Sequence, residues 1–133
     1  MNETNLKQRV LVVDDEAAIL RIVGTSLRVL GYDVVTSSSG EEALKLVESE
    51  KPDILLLDVL MPVMNGLETL KRLRATSDLP VIVFSARSSF REEALRLGAN
   101  DFIAKPFTPE QMAKTISGVL QSNGRRSNLQ NSD

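Results

Sequence analysis

The chain has 133 residues, of which 16 are basic and 18 acidic, giving a formal net charge of -2 and a pI near 5.2. This length suits one domain with its own hydrophobic core, and the slight acidity argues against a domain that holds nucleic acid by charge alone. Because it has no cysteine and no histidine, it can form neither a disulfide nor a thiolate metal site, and it cannot use Ser-His-Asp or Cys-His catalysis.

Five short apolar runs alternate with segments in which apolar residues recur every three or four positions. This alternation is typical of repeated β–α–β units, in which parallel strands are covered by helices on both faces. Each run is bounded by Gly, Pro, Asp or Ser, residues that commonly end strands. The predicted strands cover residues 10–13, 33–36, 54–58, 81–84 and 101–104.

Start and stop signals place helices between these strands and after the last one. Gly31 ends the first helix, and Ser39 with Glu42 forms a capping box that opens the second, which runs to about residue 50. Thr108 and Gln111 form a second box, which opens the last helix. The apolar positions predicted to face the core are Leu20, Val23, Leu27 and Leu30, then Ala43, Leu44 and Val47, then Leu67, Leu70 and Leu73, then Phe90, Ala94 and Leu97, and finally Met112, Ile116 and Val119 or Leu120.

The two ends of the chain are polar and aperiodic. We predict a polar extension over residues 1–9, one domain over residues 10–121, and a tail over residues 122–133 that is disordered or begins a linker. The start of the chain lacks the apolar segment of a signal peptide, and no apolar run is long enough to span a bilayer. We therefore expect a cytoplasmic protein.

Polar residues with complementary charges follow four of the five predicted strands. Asp14 and Asp15 follow the first strand, Asp58 ends the third, Ser85 follows the fourth and Lys105 follows the fifth. The carboxyl ends of parallel strands line one edge of the sheet, where ligands bind. Clustered carboxylates repel one another and need positive charge nearby, which Mg²⁺ and a lysine would supply. An aspartate beside Mg²⁺ and lysine is either a metal ligand or a nucleophile that becomes an aspartyl phosphate.

Each of these residues taken alone also has a purely structural explanation. Asp14 and Asp15 could cap the helix that follows them, since acidic residues are favoured at helix amino termini. Asp58 could be a turn residue, Ser85 a strand end, and Lys105 part of a surface loop. Their joint occurrence at four strand ends favours a single Mg²⁺-phosphate site.

The chain resembles the receiver domain of two-component response regulators over about residues 10–120. The resemblance rests on the order and spacing of five short stretches, 10–16, 55–58, 61–66, 81–86 and 98–107, which read VLVVDDE, LLLD, MPVMNG, VIVFSA and GANDFIAKPF. It implies an α/β, flavodoxin-like, doubly wound sheet of five parallel strands in the order 2-1-3-4-5, with five helices in a single domain.

The resemblance also implies a role for each site residue. Asp58 would be the phosphoacceptor. Asp15, Asp58 and the backbone carbonyl of Leu60 would bind Mg²⁺ directly, with Asp14 contributing through a bound water. Lys105 would pair with a phosphoryl oxygen, and the family implies a cis peptide before the proline that follows it.

Two further residues would report the phosphorylated state. Ser85 would hydrogen-bond the phosphoryl group, and Phe102 would turn inward as Ser85 moves. Many relatives have threonine and tyrosine at these positions, so Phe102 has no hydroxyl and would signal by packing alone. Leu60 and Arg87 would flank the water that attacks the acyl phosphate.

The predicted function is a phosphorylation-dependent switch in a phosphorelay, and not a metabolic enzyme. A histidine kinase, a histidine phosphotransfer protein or a small donor such as acetyl phosphate would phosphorylate Asp58, and partner contacts or homodimerisation would change. We call the surface that would respond the response face. It lies on the fourth helix, fifth strand and fifth helix and includes Phe90, Arg91, Arg96, Asp101, Phe107 and Lys114.

Three alternatives stay open at this point. An aspartyl-phosphate hydrolase of the haloacid dehalogenase type would need a second aspartate where Leu60 stands. A pseudo-receiver would keep the fold but work without phosphorylation. The chain could also be the receiver fragment of a longer DNA-binding response regulator, and nucleic acid would be a partner only through such a separate output domain, because two arginines near residue 125 do not make a nucleic-acid site.

Overall fold

The computed structural model describes residues 7–131, with side chains described over residues 7–123. Five parallel strands form one sheet in the order β2-β1-β3-β4-β5. This confirms the predicted flavodoxin-like fold. The strands are β1 (Arg9–Val13), β2 (Asp33–Ser37), β3 (Ile54–Asp58), β4 (Val81–Ser85) and β5 (Asp101–Ala104).

Helices cover both faces of the sheet because alternate residues of each strand point to opposite sides and both sides are apolar. One core cluster contains side chains from the second, third and fourth helices, and the other contains side chains from the first and fifth. A single 3₁₀ turn precedes the short fourth helix. The helices are α1 (Ala17–Val29), α2 (Gly40–Glu50), α3 (Gly66–Arg74), α4 (Arg91–Arg96) and α5 (Pro109–Asn131).

The two predicted capping boxes differ in the structure. At α5 the box is complete, since Gln111 N–H donates to Thr108 Oγ1 and Thr108 N–H donates to the side-chain oxygen of Gln111. At α2 only one half forms, because Glu42 N–H donates to Ser39 Oγ while the Glu42 carboxylate accepts from the hydroxyl of Ser37. Ser37 is buried at the end of β2, so this bond ties the start of α2 to the sheet.

One detail of the sequence prediction is wrong. Leu30, predicted to face the core, is 52% exposed, because α1 ends at Val29 and Leu30 leads into the turn at Gly31, which has a φ of +99°. In the structure α5 continues into the segment predicted as a tail and ends at Asn131. The predicted extension before β1 falls mostly on residues 1–6, which lie outside the described residues. Over the part of the chain that is described, no helix is both long and apolar enough to cross a membrane.

Candidate functional site

Three carboxylates meet at the carboxyl edge of the sheet. Asp14 follows β1 and Asp58 ends β3, and these strands are parallel neighbours with Val13 in register with Leu57. Asp14, Asp15 and Asp58 each offer a carboxylate oxygen, and these oxygens lie within 4.8 Å of one another. Asp14 and Asp58 are buried, whereas Asp15 is exposed. The predicted convergence of the three acidic residues is therefore present.

Lys105 reaches this cluster from the end of β5. Its backbone N–H donates to the carbonyl of Ser85 at 2.8 Å, which continues the pairing of β5 with β4 by one residue. From there Nζ lies 3.0 Å from Oδ2 of Asp14 and 3.3 Å from Oδ1 of Asp58. The peptide between Lys105 and Pro106 is cis, as the family resemblance implies. One ammonium therefore bridges two buried carboxylates.

Burial and neighbouring charges shift the pKa values of Asp58 and Lys105. Burial raises the pKa of Asp58 from its ordinary 3.8 to about 6, and the nearby Asp14 adds to this, while Lys105 acts in the opposite direction. Burial alone would lower the pKa of Lys105, but hydrogen bonds and attraction from Asp14 and Asp58 outweigh it, so its pKa is raised. A lysine with a raised pKa stays protonated at neutral pH. The site therefore holds one fixed positive charge against three carboxylates.

The acidic pair does not cap α1. The cap position is Glu16, and its side chain makes no capping hydrogen bond. Asp14 Oδ1 accepts from Glu16 N–H at 2.9 Å, while its other oxygen contacts Lys105. Asp14 thus stabilises the turn after β1 with one carboxylate oxygen and binds Lys105 with the other. Neither Asp14 nor the exposed Asp15 caps α1.

The loop between β3 and α3 folds tightly against Asp58. A Cβ on Gly66 would lie 2.0 Å from the backbone oxygen of Asp58, so only glycine fits there. The carbonyl of Val59 accepts the N–H groups of Met61 and Gly66. Among the described residues, no backbone N–H donates to the carbonyl of Leu60.

The donor set suits a hard divalent cation. Carboxylate and carbonyl oxygens are the ligands that Mg²⁺ prefers, and Mg²⁺ commonly binds one or two carboxylates while keeping water for a phosphate. Asp15 is exposed at the rim and Asp58 is buried beside it. The excess of negative charge described above favours such an ion. The carboxylates of Asp14, Asp15 and Asp58 could therefore hold Mg²⁺, and the Leu60 carbonyl stays a predicted further ligand.

The two predicted switch residues lie on the side of β4 and β5. Ser85 is buried at the end of β4, in register with Ala104. Its hydroxyl accepts from the N–H of Arg87 at 3.1 Å. Phe102 is only 6% exposed and belongs to the core cluster beneath α2, α3 and α4. The ring of Phe102 is thus turned inward, next to the strand that carries Ser85.

Sequence reasoning missed one residue of the site, Phe84. The Nζ of Lys105 lies over the Phe84 ring, 4.8 Å from its centroid. Phe84 is in register with Asp58 on one side and with Ile103 on the other. Its position directly before Ser85 is a weak sequence signal, because the register with Asp58 is known only from the sheet.

Comparison with known proteins identifies a family model and several similar proteins. Residues 10–117 match the family model of the response regulator receiver domain. The probable transcriptional regulator ycf27 of Porphyridium aerugineum is 44% identical over 117 residues, covering 86% of this chain and 49% of the relative. The alkaline phosphatase synthesis transcriptional regulatory protein PhoP of Bacillus subtilis is 39% identical over 119 residues, covering 87% of this chain and 50% of the relative. The chain thus spans about half the length of these curated relatives.

A solved structure of similar size also matches. The chemotaxis protein CheY4 of Vibrio cholerae superposes with a TM-score of 0.81 at 34% identity. The match covers 86% of this chain and 99% of CheY4. Similar chains therefore occur both as the whole of a solved structure and as part of longer regulators.

Proposed function

This chain belongs to the response regulator receiver domain family, and we propose that Asp58 is the residue at which it accepts a phosphoryl group. The observation that carries the proposal is the contact of Lys105 with two carboxylates at the carboxyl edge of the sheet. Of those two, Asp58 ends β3 and lies next to the loop that carries the predicted Leu60 ligand. It can therefore contact a metal ion and an incoming phosphoryl group together.

The proposed reaction moves one phosphoryl group from a donor to the chain. An oxygen of Asp58 forms a bond to phosphorus, while the bond from phosphorus to the donor breaks and the donor keeps the electron pair. The donor atom is a histidine nitrogen of a partner kinase or phosphotransfer protein, or an oxygen of acetyl phosphate. Because the pKa of Asp58 is about 6, most of this carboxyl is ionised at neutral pH and can attack. Lys105 would hold a phosphoryl oxygen as the phosphoryl group moves from the donor to Asp58.

Mg²⁺ belongs to the proposal as the cofactor of this step. Bound there, it would offset charge on the carboxylates and on the phosphoryl oxygens. Asp15, Asp58 and the backbone carbonyl of Leu60 would hold it, and Asp14 would orient a water on it. The exposed Asp15 would be the ligand that meets the ion first, since Asp14 and Asp58 lie deeper.

The consequence of phosphorylation would be a change in partner binding or self-association. The Ser85 hydroxyl would leave the Arg87 amide and bind the phosphoryl group. Phe102 is already turned inward at 6% exposure, so phosphorylation would stabilise this position of the ring. A new charge of this kind biases an existing two-state equilibrium. The response face would report the change, and it contains an open groove between β5 and α5 that is lined in part by Asp101 and Lys114.

The chain is a signalling domain, and we propose that it turns over no metabolite and assists only its own phosphorylation and dephosphorylation. Leu60 stands where a haloacid-dehalogenase-type hydrolase has a second aspartate, which argues against that alternative. The proposal includes a cytoplasmic location, where a kinase would reach the domain. Because the curated relatives named above are about twice as long, a separate DNA-binding output domain in the whole protein is part of the proposal as well.

Intact-mass spectrometry tests the proposal. We expect acetyl phosphate with Mg²⁺ to add one phosphoryl group to the wild-type chain and none to Asp58→Asn. Asp78→Asn is the matched control, because Asp78 is exposed and lies before β4, at the opposite edge of the sheet. A wild-type chain that takes no label under these conditions would support the pseudo-receiver alternative.

A further inference from the structure

Lys105 has one uncharged partner in addition to its two carboxylates. Its Nζ lies 4.8 Å from the centroid of the Phe84 ring and over the ring face. A cation in this position is attracted by the negative potential of the aromatic face. The contact is shielded, since Phe84 is 2% exposed and the Lys105 side chain only 17% exposed, and shielding from water strengthens this attraction.

A second aromatic residue fixes the orientation of that ring. Phe107 meets Phe84 edge-on, with ring centroids 5.8 Å apart and planes at 79°. Edge-to-face pairs are a preferred aromatic geometry. Phe107 lies just after the Lys105–Pro106 peptide, so the segment that carries the lysine also supplies the ring that holds Phe84.

The three contacts of the ammonium respond differently to charge at the site. Asp14 and Asp58 attract Lys105 as anions, and this attraction weakens when a divalent cation shares their charge. The attraction of the Phe84 face is independent of their charge state. The ring can therefore hold the ammonium in place while the charge of the carboxylates changes.

We propose that Phe84 is a positioning residue, whose ring face holds the Lys105 ammonium at the phosphoryl-binding edge while Phe107 locks the ring. This inference rests on the proposed function of Asp58 for its kinetic consequence. The contact itself is a property of the protein without donor or metal, and it has a readout that is independent of phosphorylation.

Two kinds of variant separate the ring face from the volume of the side chain. Phe84→Leu removes the ring and keeps an apolar side chain, and a series of mono-, di- and trifluorinated phenylalanines at position 84 keeps the ring while weakening its negative face. We expect Phe84→Leu to slow phosphorylation by acetyl phosphate about 3- to 10-fold at saturating Mg²⁺, the range of a shielded cation–π contact. The fluorinated series should slow the reaction in steps. Mg²⁺ affinity should stay the same throughout.

Proton NMR of the metal-free protein supplies the independent readout. Protons above an aromatic face are shifted upfield, so the ε-methylene of Lys105 should be shifted upfield in the wild type and lose this shift in Phe84→Leu. Tyr32→Leu is the matched control. Tyr32 packs against the same core cluster as Phe84, but it lies at the amino end of the outer strand β2, away from the carboxylates. It should change neither the rate nor the lysine signal.

The outcomes divide clearly. Loss of the upfield shift in Phe84→Leu, together with stepwise slowing in the fluorinated series, supports the proposal. Equal rates across the fluorinated series, or an unshifted Lys105 signal in the wild type, would overturn it and leave Phe84 as a core residue only. A parallel fall in Mg²⁺ affinity would also overturn it, because the whole site would then have moved. If the wild type takes no phosphoryl group, the proposed function fails, and the lysine signal still decides whether the contact exists.

Discussion

The Nζ of Lys105 lies 3.3 Å from Oδ1 of Asp58, although 47 positions separate the two residues in the chain. The parallel sheet makes this contact possible, because β3 and β5 both end at the same edge with β4 between them. The ammonium opposes the effect of burial on the pKa of Asp58, which nevertheless rises to about 6. Ionised Asp58 therefore destabilises the fold, and the positive charge of Lys105 offsets only part of this cost.

Replacing Asp58 with asparagine should stabilise the metal-free protein at neutral pH. The pKa of Asp58 rises from 3.8 unfolded to about 6 folded, so the folded state holds the proton more tightly. Stability is then lost as the pH rises from about 4 to 6, and the Asp58→Asn variant would avoid this loss. A shift of this size corresponds to about 3 kcal/mol at most. We expect a gain of about 1 to 3 kcal/mol at pH 7.5 that disappears near pH 4, measured by urea unfolding in EDTA.

The pH profile distinguishes this cause from a general packing effect. A gain that is equal at pH 4 and pH 7.5 would mean that ionisation of Asp58 has no part in it. A loss of stability at pH 7.5 would mean that the ion pair with Lys105 outweighs burial.

Mg²⁺ should raise the melting temperature above pH 6 and lose this effect below it, because the ion must displace the proton that Asp58 holds at lower pH. Mg²⁺ at about 100 times its dissociation constant would add about 2.7 kcal/mol to the free energy of unfolding.

Asp15→Asn should weaken Mg²⁺ binding about tenfold or more, since even outer-shell residues contribute that much. Because Asp15 is exposed but repels the Asp58 carboxylate, its loss should leave the metal-free protein at least as stable as the wild type. Unchanged Mg²⁺ affinity in this variant would remove Asp15 from the metal site.

Gly66→Ala should destabilise the protein by about 2 to 4 kcal/mol, in the range of severe backbone clashes. The new Cβ would lie 2.0 Å from the carbonyl oxygen of Asp58, so either α3 or the end of β3 must move. Gly118→Ala is the control, because Gly118 is in α5 with nothing within 4 Å of an added Cβ. There alanine should stabilise by about 1 kcal/mol through helix propensity. Equal effects at the two positions in denaturant titrations would contradict the close approach at Asp58.

Lys105→Ala should leave Mg²⁺ binding largely intact but uncouple the site from the switch. The metal ligands remain in this variant, whereas the cation that meets the phosphoryl oxygens is gone. We expect beryllofluoride, a phosphoryl mimic, to shift the ring signals of Phe102 in NMR spectra of the wild type and not of this variant. Lys71→Ala is the control, since Lys71 is exposed on α3. A normal shift at Phe102 in Lys105→Ala would show that the lysine has no coupling role.

Much of the fold could be predicted because strand and helix signals agree with burial. The apolar run of β3 is buried on both faces, and Thr108 opens α5 as its capping box predicts. The strand order could not be read from periodicity, since alternation of strands and helices allows several orders, and it came from the resemblance to a family. The prediction for Leu30 was wrong because helical spacing alone cannot show where the last turn of α1 ends.

The remaining details depend on tertiary contacts. Glu42 fits the sequence pattern of a capping box, but the hydroxyl of Ser37 competes for its carboxylate. The exposed Val63 has a φ of 69°, a conformation that valine rarely adopts and that no local signal predicts. The contact of Phe84 with Lys105 joins β4 to the segment that follows β5. It cannot be predicted from either residue alone. Charged residues at strand ends were predictable because a parallel sheet collects them at one edge.

Chemical trapping of the acyl phosphate tests the central claim most directly. Borohydride reduces an aspartyl phosphate to homoserine, and tandem mass spectrometry can locate that residue in the digested chain. After treatment with acetyl phosphate and Mg²⁺, we predict homoserine at position 58 in the wild type. Homoserine at position 14 or 15, or at another aspartate, would contradict the assignment of Asp58 as the phosphoacceptor.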